Sequence, residues 1–447
     1  MAKLLSTWRT ATVGDVVLRH FSGPSPTCEE RTVRSAEEWG LLKTTAVSWE
    51  GWQPNAHKVP PRKYWGNRSI EVHAGDVLVT KAGPRHRVGV VVFVRVTQPQ
   101  LMVSGKMVGL RPDPSVILPQ LLSGILSTRG PQQHLERVKT GMAESQLNFS
   151  NAMLLATPLV FPSDLSEQRR IAAILDTMDE AIRQTEAVIE KLKKIKQGLL
   201  QDLLTRGIGK DGKLRPPPEQ APHLYKDSPL GKIPKEWVAE QIRDICALCR
   251  GASPRPIDDP RYFVNEGPLW VRIADVTSTY KYLKTTSERV SPLGASKSVR
   301  IGPGDLIMSI CATIGRPIIC SAEACIHDGF VWFKELDERL SVEFMFYFLL
   351  MNEEFIGRQR QMGTQGNLNT DIVKKTWVPV PPRQAEQQKI VNACVVADEA
   401  VDKESRYLTK LMNLKQGLIE DLLTGRVRVT GLPKDIEKML DEIAGKN

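Results

Sequence analysis

Two stretches of this 447-residue chain are copies of one another, and that repeat restricts its architecture more than any other feature. Glu167–Thr205 reads EQRRIAAILDTMDEAIRQTEAVIEKLKKIKQGLLQDLLT, and Glu386–Thr424 reads EQQKIVNACVVADEAVDKESRYLTKLMNLKQGLIEDLLT. They align without a gap, with about 16 of about 39 positions identical. Each carries an apolar stripe in steps of three and four. In the first copy it is Ile171, Leu175, Met178, Ile182, Ile189, Leu192, Ile195, Leu199 and Leu203. In the second it is Ile390, Cys394, Ala397, Val401, Leu408, Leu411, Leu414, Leu418 and Leu422. That spacing places the stripe on one face of a helix, as in a coiled-coil seam. Arg183, Glu186, Lys193 and Lys194 fall on the opposite face of the first copy. About 40 helical residues make a rod of about 60 Å. A helix with one apolar stripe must bury it, and the two seams match position by position, which predicts that they pair.

The duplication extends further, more faintly. Trp8 and Val13-Gly14-Asp15-Val16 match Trp237 and Ile242-Arg243-Asp244-Ile245. Gly75-Asp76-Val77-Leu78-Val79 matches Gly304-Asp305-Leu306-Ile307-Met308, each a turn entering a strand. Leu159-Val160-Phe161-Pro162 precedes the first helix as Val378-Pro379-Val380-Pro381 precedes the second. The expected order is a globular domain (residues 1–163), a helix (164–207), a linker (208–229), a second globular domain (230–382), a second helix (383–425) and a tail (426–447). Both domains mix short β-type runs with shorter helical patterns, so the fold class is α+β. Glycines at 207, 209 and 212 and the triplet Pro216-Pro217-Pro218 mark the linker as an extended segment.

The net charge of +10 favours a polyanionic partner such as nucleic acid. No apolar run is long enough to span a membrane, and Met1 to Thr10 lacks the apolar stretch of a signal peptide, so a cytoplasmic location is expected. Seven scattered cysteines read as reduced thiols. Cys246-x-x-Cys249, with Cys325 and His327 as the nearest further ligands, is a loose match to a zinc site, and no metal is expected. No dinucleotide or phosphate-cradling glycine loop is present. Asp259-Pro260-Arg261-Tyr262 looks like the Asp-Pro-Pro-aromatic motif of adenine methyltransferases but has Arg at the third place, and it reads as a turn. No catalytic residue is assigned. The competing readings are an enzyme with its own methyltransferase or nuclease site, and a coiled-coil adaptor that binds only proteins.

The repeated helices ending in Lys-Gln-Gly-Leu and Asp-Leu-Leu-Thr resemble the specificity subunit of Type I restriction-modification systems. So do Leu230-Gly231-Lys232-Ile233-Pro234-Lys235-Glu236-Trp237 and Gly302-Pro303-Gly304-Asp305-Leu306 followed by Thr313-Ile314-Gly315. The resemblance implies two target recognition domains separated by two long antiparallel coiled-coil helices in a pseudo-two-fold repeat. It implies that each domain reads one half of a split, asymmetric double-stranded DNA site. The helices would set the half-site spacing and dock two methyltransferase subunits, with restriction/translocase subunits joining the full complex. S-adenosylmethionine would be bound by the methyltransferase partner and no cofactor by this chain.

Reading residues are expected among basic and polar loop side chains. From Lys58 to Arg111 there are about ten Lys or Arg against about two acids. Lys58, Arg62, Lys63 and Arg68 are interleaved with Tyr64 and Trp65, and Lys81, Arg85, His86 and Arg87 occupy a Gly/Pro turn. The second domain is close to neutral. Its candidates are Arg250, Ser253, Arg255, Arg261, Arg272 and Arg316, with Gln365 and Asn367 in a polar loop.

Overall fold

The stepped apolar pattern forms two long helices. The computed structural model describes residues 7–141, 143–358, 368–430 and 438. In it the helices run Leu165–Arg206, 42 residues, and Gln384–Leu422, 39 residues. At 1.5 Å per residue they are about 63 and about 58 Å long. The chain divides into two compact units, Met1–Glu186 with Tyr407–Asn447, and Ala187–Arg406. Each unit holds one globular domain and half of each long helix. In the first unit, Ile171, Ile174 and Leu175 near the start of the first helix share a core with Leu418, Leu422 and Leu423 at the end of the second. In the second unit, Leu199, Leu200, Leu203 and Leu204 at the end of the first helix share a core with Ile390, Val391 and Cys394 at the start of the second. Starts meet ends in both, so the paired segments are antiparallel.

Both domains are α+β. Strand Trp8–Thr12 pairs antiparallel with Pro158–Pro162, which leads into the first long helix. Val238–Gln241 pairs in the same way with Trp377–Val380, which leads into the second. The first domain adds a four-stranded sheet in the order Val17–Phe21, Met107–Pro112, Val77–Thr80, Val91–Phe93. The second adds a five-stranded sheet in the order Ala247–Arg250, Phe330–Lys334, Leu306–Ser309, Pro317–Cys320, Tyr282–Leu283. The Gly-Asp copies enter equivalent strands of these sheets. Gly75 and Gly304 adopt φ of +95° and +91°, which side chains disfavour. The Asp76 and Asp305 carboxylates close the turns by accepting from the backbone N–H of His73 at 2.8 Å and Gly302 at 2.6 Å.

The Glu-Gln pair that opens each copy has a structural role. Gln168 Oε1 accepts from Leu118 N at 2.9 Å, and its Nε2 donates to Pro162 O at 2.8 Å. Gln387 does the same with Ser341 N at 2.9 Å and Pro381 O at 3.0 Å. Leu118 and Ser341 are the N-cap residues of domain helices Pro119–Ser127 and Val342–Met351, so each glutamine fixes a domain helix to a long helix. Each glutamate holds the chain that leaves the other long helix. Glu386 accepts from Arg215 at 2.5 Å, and Glu167 accepts from Arg428 at 2.6 Å.

The segment expected to be an extended linker is folded instead. Arg215 is drawn in by Glu386, and Ile208 and Ile233 join the core of the second unit. The end of the segment forms strand Tyr225–Ser228, which pairs with Gly231–Pro234 just beyond it, and Tyr225 donates its hydroxyl to Pro216 O at 2.6 Å. Gly207 does end the first helix, at φ +64°. A Cβ there would stand 2.3 Å from Trp237 Cζ2 and 2.5 Å from Glu386 Oε1. Gly207→Ala is therefore expected to destabilise the protein by more than about 1 kcal/mol, since both φ and space are wrong for it. A denaturant midpoint equal to that of the parent would contradict this.

The seam residues Ile171, Leu175, Met178, Ile182, Ile189, Leu192, Leu199, Ile390, Val401, Leu408, Leu411 and Leu418 are all buried or half-buried. Two further members of the stripe are not. Ile195 and Leu414, at equivalent repeat positions, are each 54% exposed. The reason is helical phase. At 100° per residue the face has drifted by one position there, and Lys196 and Lys415 turn inward. Lys196 pairs with Asp398 at 2.7 Å in the second unit, and Lys415 with Asp179 at 2.5 Å in the first. These two ion pairs are also equivalent by the repeat.

Candidate nucleic-acid interface

In the first domain the basic run divides into cations that face solvent and cations used internally. Strand His57–Lys58 is followed by two tight turns, Arg62–Tyr64 and Arg68–Ile70. Trp65 is anchored by donating Nε1 to Pro60 O at 2.9 Å. The Arg62 guanidinium lies 5.4 Å from the Trp65 ring centroid, and Lys63 Nζ lies 5.3 Å from that of Tyr64. The aromatic rings thus support the cations through cation–π contact. Arg62, Lys63 and Arg68 are exposed and have no carboxylate partner among the described residues. Lys58 is half-buried, 3.5 Å from Glu30. It shares with Lys43, Lys106, Ser25 and Ser104 a groove of about 380 Å³, a feature that sequence spacing alone does not reveal.

The Gly/Pro turn is tied to other segments of its domain. Lys81 Nζ donates to Asn151 Oδ1 at 2.9 Å and Ser22 Oγ at 3.2 Å, and burial lowers its pKa. Arg85 is held by Glu136 at 2.6 Å and Glu144 at 2.8 Å. Arg87 donates to Thr44 O at 2.7 Å and Val47 O at 3.3 Å. All three bond to neighbouring segments of the same domain, and the Arg85 side chain remains 53% exposed. Only His86 of this group is exposed and without such a partner among the described residues.

In the second domain the named cations are mostly compensated. Ser253 Oγ donates to Asp328 Oδ1 at 2.8 Å, and Arg255 reaches Asp328 Oδ2 at 3.1 Å. Arg250 donates Nε to Asp328 O at 2.9 Å. These three converge on Asp328; Arg250 and Arg255 are exposed, and Ser253 and Asp328 are half-buried. Arg261 binds Asp259 at 2.6 Å, Arg272 binds Glu288 at 2.8 Å, and Arg316 binds Glu353 at 3.2 Å. The Arg261 guanidinium holds the Asp259 carboxyl below its ordinary pKa. Asp259 accepts from Arg261 N at 3.0 Å and caps the turn Pro260–Tyr262, so Asp-Pro-Arg-Tyr is a turn. Gln365 and Asn367 lie outside the described residues. Burial pushes the Cys246 thiol up to about 12. Among the described residues no group of three or more His, Cys, Asp or Glu side chains is placed to hold a metal ion. Likewise no helix among them is long and apolar enough to cross a membrane.

Comparison with known proteins agrees with this architecture. Residues 234–405 match the family described as the Type I restriction modification DNA specificity domain. The chain is 34% identical over 169 residues to the Type I restriction enzyme EcoEI specificity subunit of Escherichia coli, covering 38% of this chain and 28% of that protein. The chain thus spans well under two thirds of that relative. It is 23% identical over 363 residues to the putative Type I restriction enzyme MjaX specificity subunit of Methanocaldococcus jannaschii, covering 79% of each. Among solved structures, a chain from work on complex assembly and conformational transition of the type I R-M system superposes with a TM-score of 0.58. It has 17% identity and covers 94% of this chain and 98% of that one. The Type I restriction-modification S subunit from M. genitalium gives 0.50 at 14% identity, covering 93% and 96%. These two likenesses concern the fold. Residues 234–405 thus carry the matched specificity domain, and the chain as a whole is similar, in sequence and in its duplicated domain-plus-helix plan, to the specificity subunits of Type I restriction-modification systems.

Proposed function

We propose that this chain is the sequence reader of a Type I restriction-modification complex and performs no catalysis itself. Each globular domain reads one half of a bipartite, asymmetric site in double-stranded DNA, and the long helices set the gap between the halves. The observation that carries this reading is the duplicated unit. Both units join a domain to helix ends with the same Glu-Gln clamp, Glu167-Gln168 and Glu386-Gln387, and the same seam ion pair. A chain that presents two related modules on repeated helices suits a split site whose halves lie a set distance apart along B-DNA.

The partners follow from the same repeat. Val188 and Tyr407, at equivalent positions, are 44% and 50% exposed, and Ile195 and Leu414 lie one heptad further on. Two equivalent apolar strips fit two copies of one partner, the methyltransferase subunit, each contributing a helix. That partner supplies S-adenosylmethionine and the transfer chemistry, and the restriction/translocase subunits complete the complex. This chain contributes binding, register and orientation.

In the first domain, phosphate contacts fall to Arg62, Lys63 and Arg68. Changing all three to Ala is expected to weaken DNA binding by the assembled complex. The slope of log K against log salt should shrink by about 1 for each phosphate that is no longer neutralised. Arg85→Ala should leave that slope unchanged, because Arg85 is neutralised by Glu136 and Glu144. An unaltered slope in the triple variant, measured by titration at several salt concentrations, would remove this surface from the interface.

A further inference from the structure

The second unit contains a polar hub that the repeat does not explain. Asp398, on the second long helix, receives Lys196 of the first long helix at 2.7 Å. It also receives the hydroxyl of Tyr280 on Oδ1 at 2.8 Å and that of Tyr347 on Oδ2 at 2.7 Å. Lys196 Nζ lies 2.6 Å from Tyr280 Oη and 4.3 Å from the ring centroid. The two tyrosines come from separate parts of the recognition domain. Tyr280 follows the short helix Ile273–Thr277, and Tyr347 sits in the helix Val342–Met351. The Asp398 side chain is only 14% exposed. Behind Tyr347, buried Lys281 has its Nζ 4.6 Å from the Tyr347 ring and 5.0 Å from that of Tyr282. Burial pushes both hub phenols up from their ordinary pKa, and the neighbouring Asp398 carboxylate adds to the effect, so they stay protonated donors.

In the first unit the equivalent residue, Asp179, pairs with Lys415 and has no phenol donor among the described residues. The phenols are therefore an addition to the shared ion pair. Apolar contacts between domain and helix are non-directional and tolerate small rotations. Charge-assisted hydrogen bonds from two elements to the two oxygens of one carboxylate do not, because any rotation of the domain lengthens at least one of them.

We propose that Asp398, with Tyr280 and Tyr347, is a positioning site that fixes how the second recognition domain stands on its helices. It thereby restricts the complex to a single half-site spacing. This rests on the bipartite reading proposed above. The test is adenine methylation mapped across the genome of cells carrying the full chain with its methyltransferase. Two variants are compared with the parent, Asp398→Asn and the double change Tyr280→Phe with Tyr347→Phe, the second of which keeps both rings and their packing. Methylation of the parental half-sites at spacings one base pair longer or shorter is expected to rise at least about tenfold. Both half-site sequences should remain unchanged. Loss of methylation at parental sites with no rise at other spacings in the double variant would show a merely structural role and overturn the proposal. An unchanged pattern would do the same. If the parent itself produced no split motif, the bipartite reading would fail instead.

Discussion

Replacing Glu386 by Ala is expected to destabilise the second unit by about 3–5 kcal/mol, the range seen when one member of a buried ion pair is removed. Glu386 Oε1 receives Arg215 at 2.5 Å, the backbone N–H of Ile208 at 3.1 Å and Trp237 Nε1 at 3.2 Å. Oε2 receives the other Arg215 nitrogen at 3.3 Å. The two side chains are 4% and 9% exposed. Without the carboxylate, the N–H groups of Ile208 and Trp237 lose their acceptor, and the buried Arg215 guanidinium keeps, among the described residues, only its bond to Arg206 O at 3.0 Å and the longer approach to Glu236 at 3.7 Å. Glu167→Ala should cost less. Its partner Arg428 is 17% exposed and can be partly solvated, and Trp8 Nε1 makes no hydrogen bond that the change would break. Denaturant unfolding of the two variants, followed by tryptophan fluorescence, checks the order. Equal losses would contradict this order, and a negligible loss in Glu386→Ala would show that the clamp does not carry the unit.

The long helices are legible in the sequence because periodicity and repeat act together, and both are local properties of a chain. The Gly-Asp turns at Gly75 and Gly304 are legible for the same reason. What the sequence leaves open is pairing across distance. The Lys81–Arg87 turn shows a basic run, but its partners Glu136, Glu144 and Asn151 lie some fifty to seventy positions away and are not visible in the local sequence. Segment 208–229 has the glycines and prolines of a linker. Its packing depends on Glu386, far along the chain, meeting Arg215. Ile195 and Leu414 continue an apolar stripe on paper. The drift of helical phase instead turns Lys196 and Lys415 inward, where acids are waiting. Arg62 and Lys63 are exposed beside aromatic rings rather than acids, and Arg68 is exposed with no carboxylate partner among the described residues.

The second large effect concerns spacing. Inserting one heptad into each long helix at equivalent positions, after Lys191 and after Lys410, lengthens each by about 10 Å. A heptad changes the phase of the seam by only about 20°, so the apolar faces still meet. If the helices set the gap between half-sites, the methylated motif should gain about 3 base pairs of spacer, since a turn of about 10 base pairs rises about 34 Å. Each half-site should be read as before. Lengthening one helix alone breaks the antiparallel match and should abolish methylation.

Two related domains that read two halves of one site at a fixed distance would leave a split pattern in the DNA that the complex modifies. Mapping methylated adenines in DNA from cells that carry this chain and its methyltransferase subunit tests it most directly. One split motif is expected, with two different specified halves, a single unspecified gap and a methylated adenine in each half. A continuous motif, or methyl transfer by the purified chain alone with labelled S-adenosylmethionine, would contradict it.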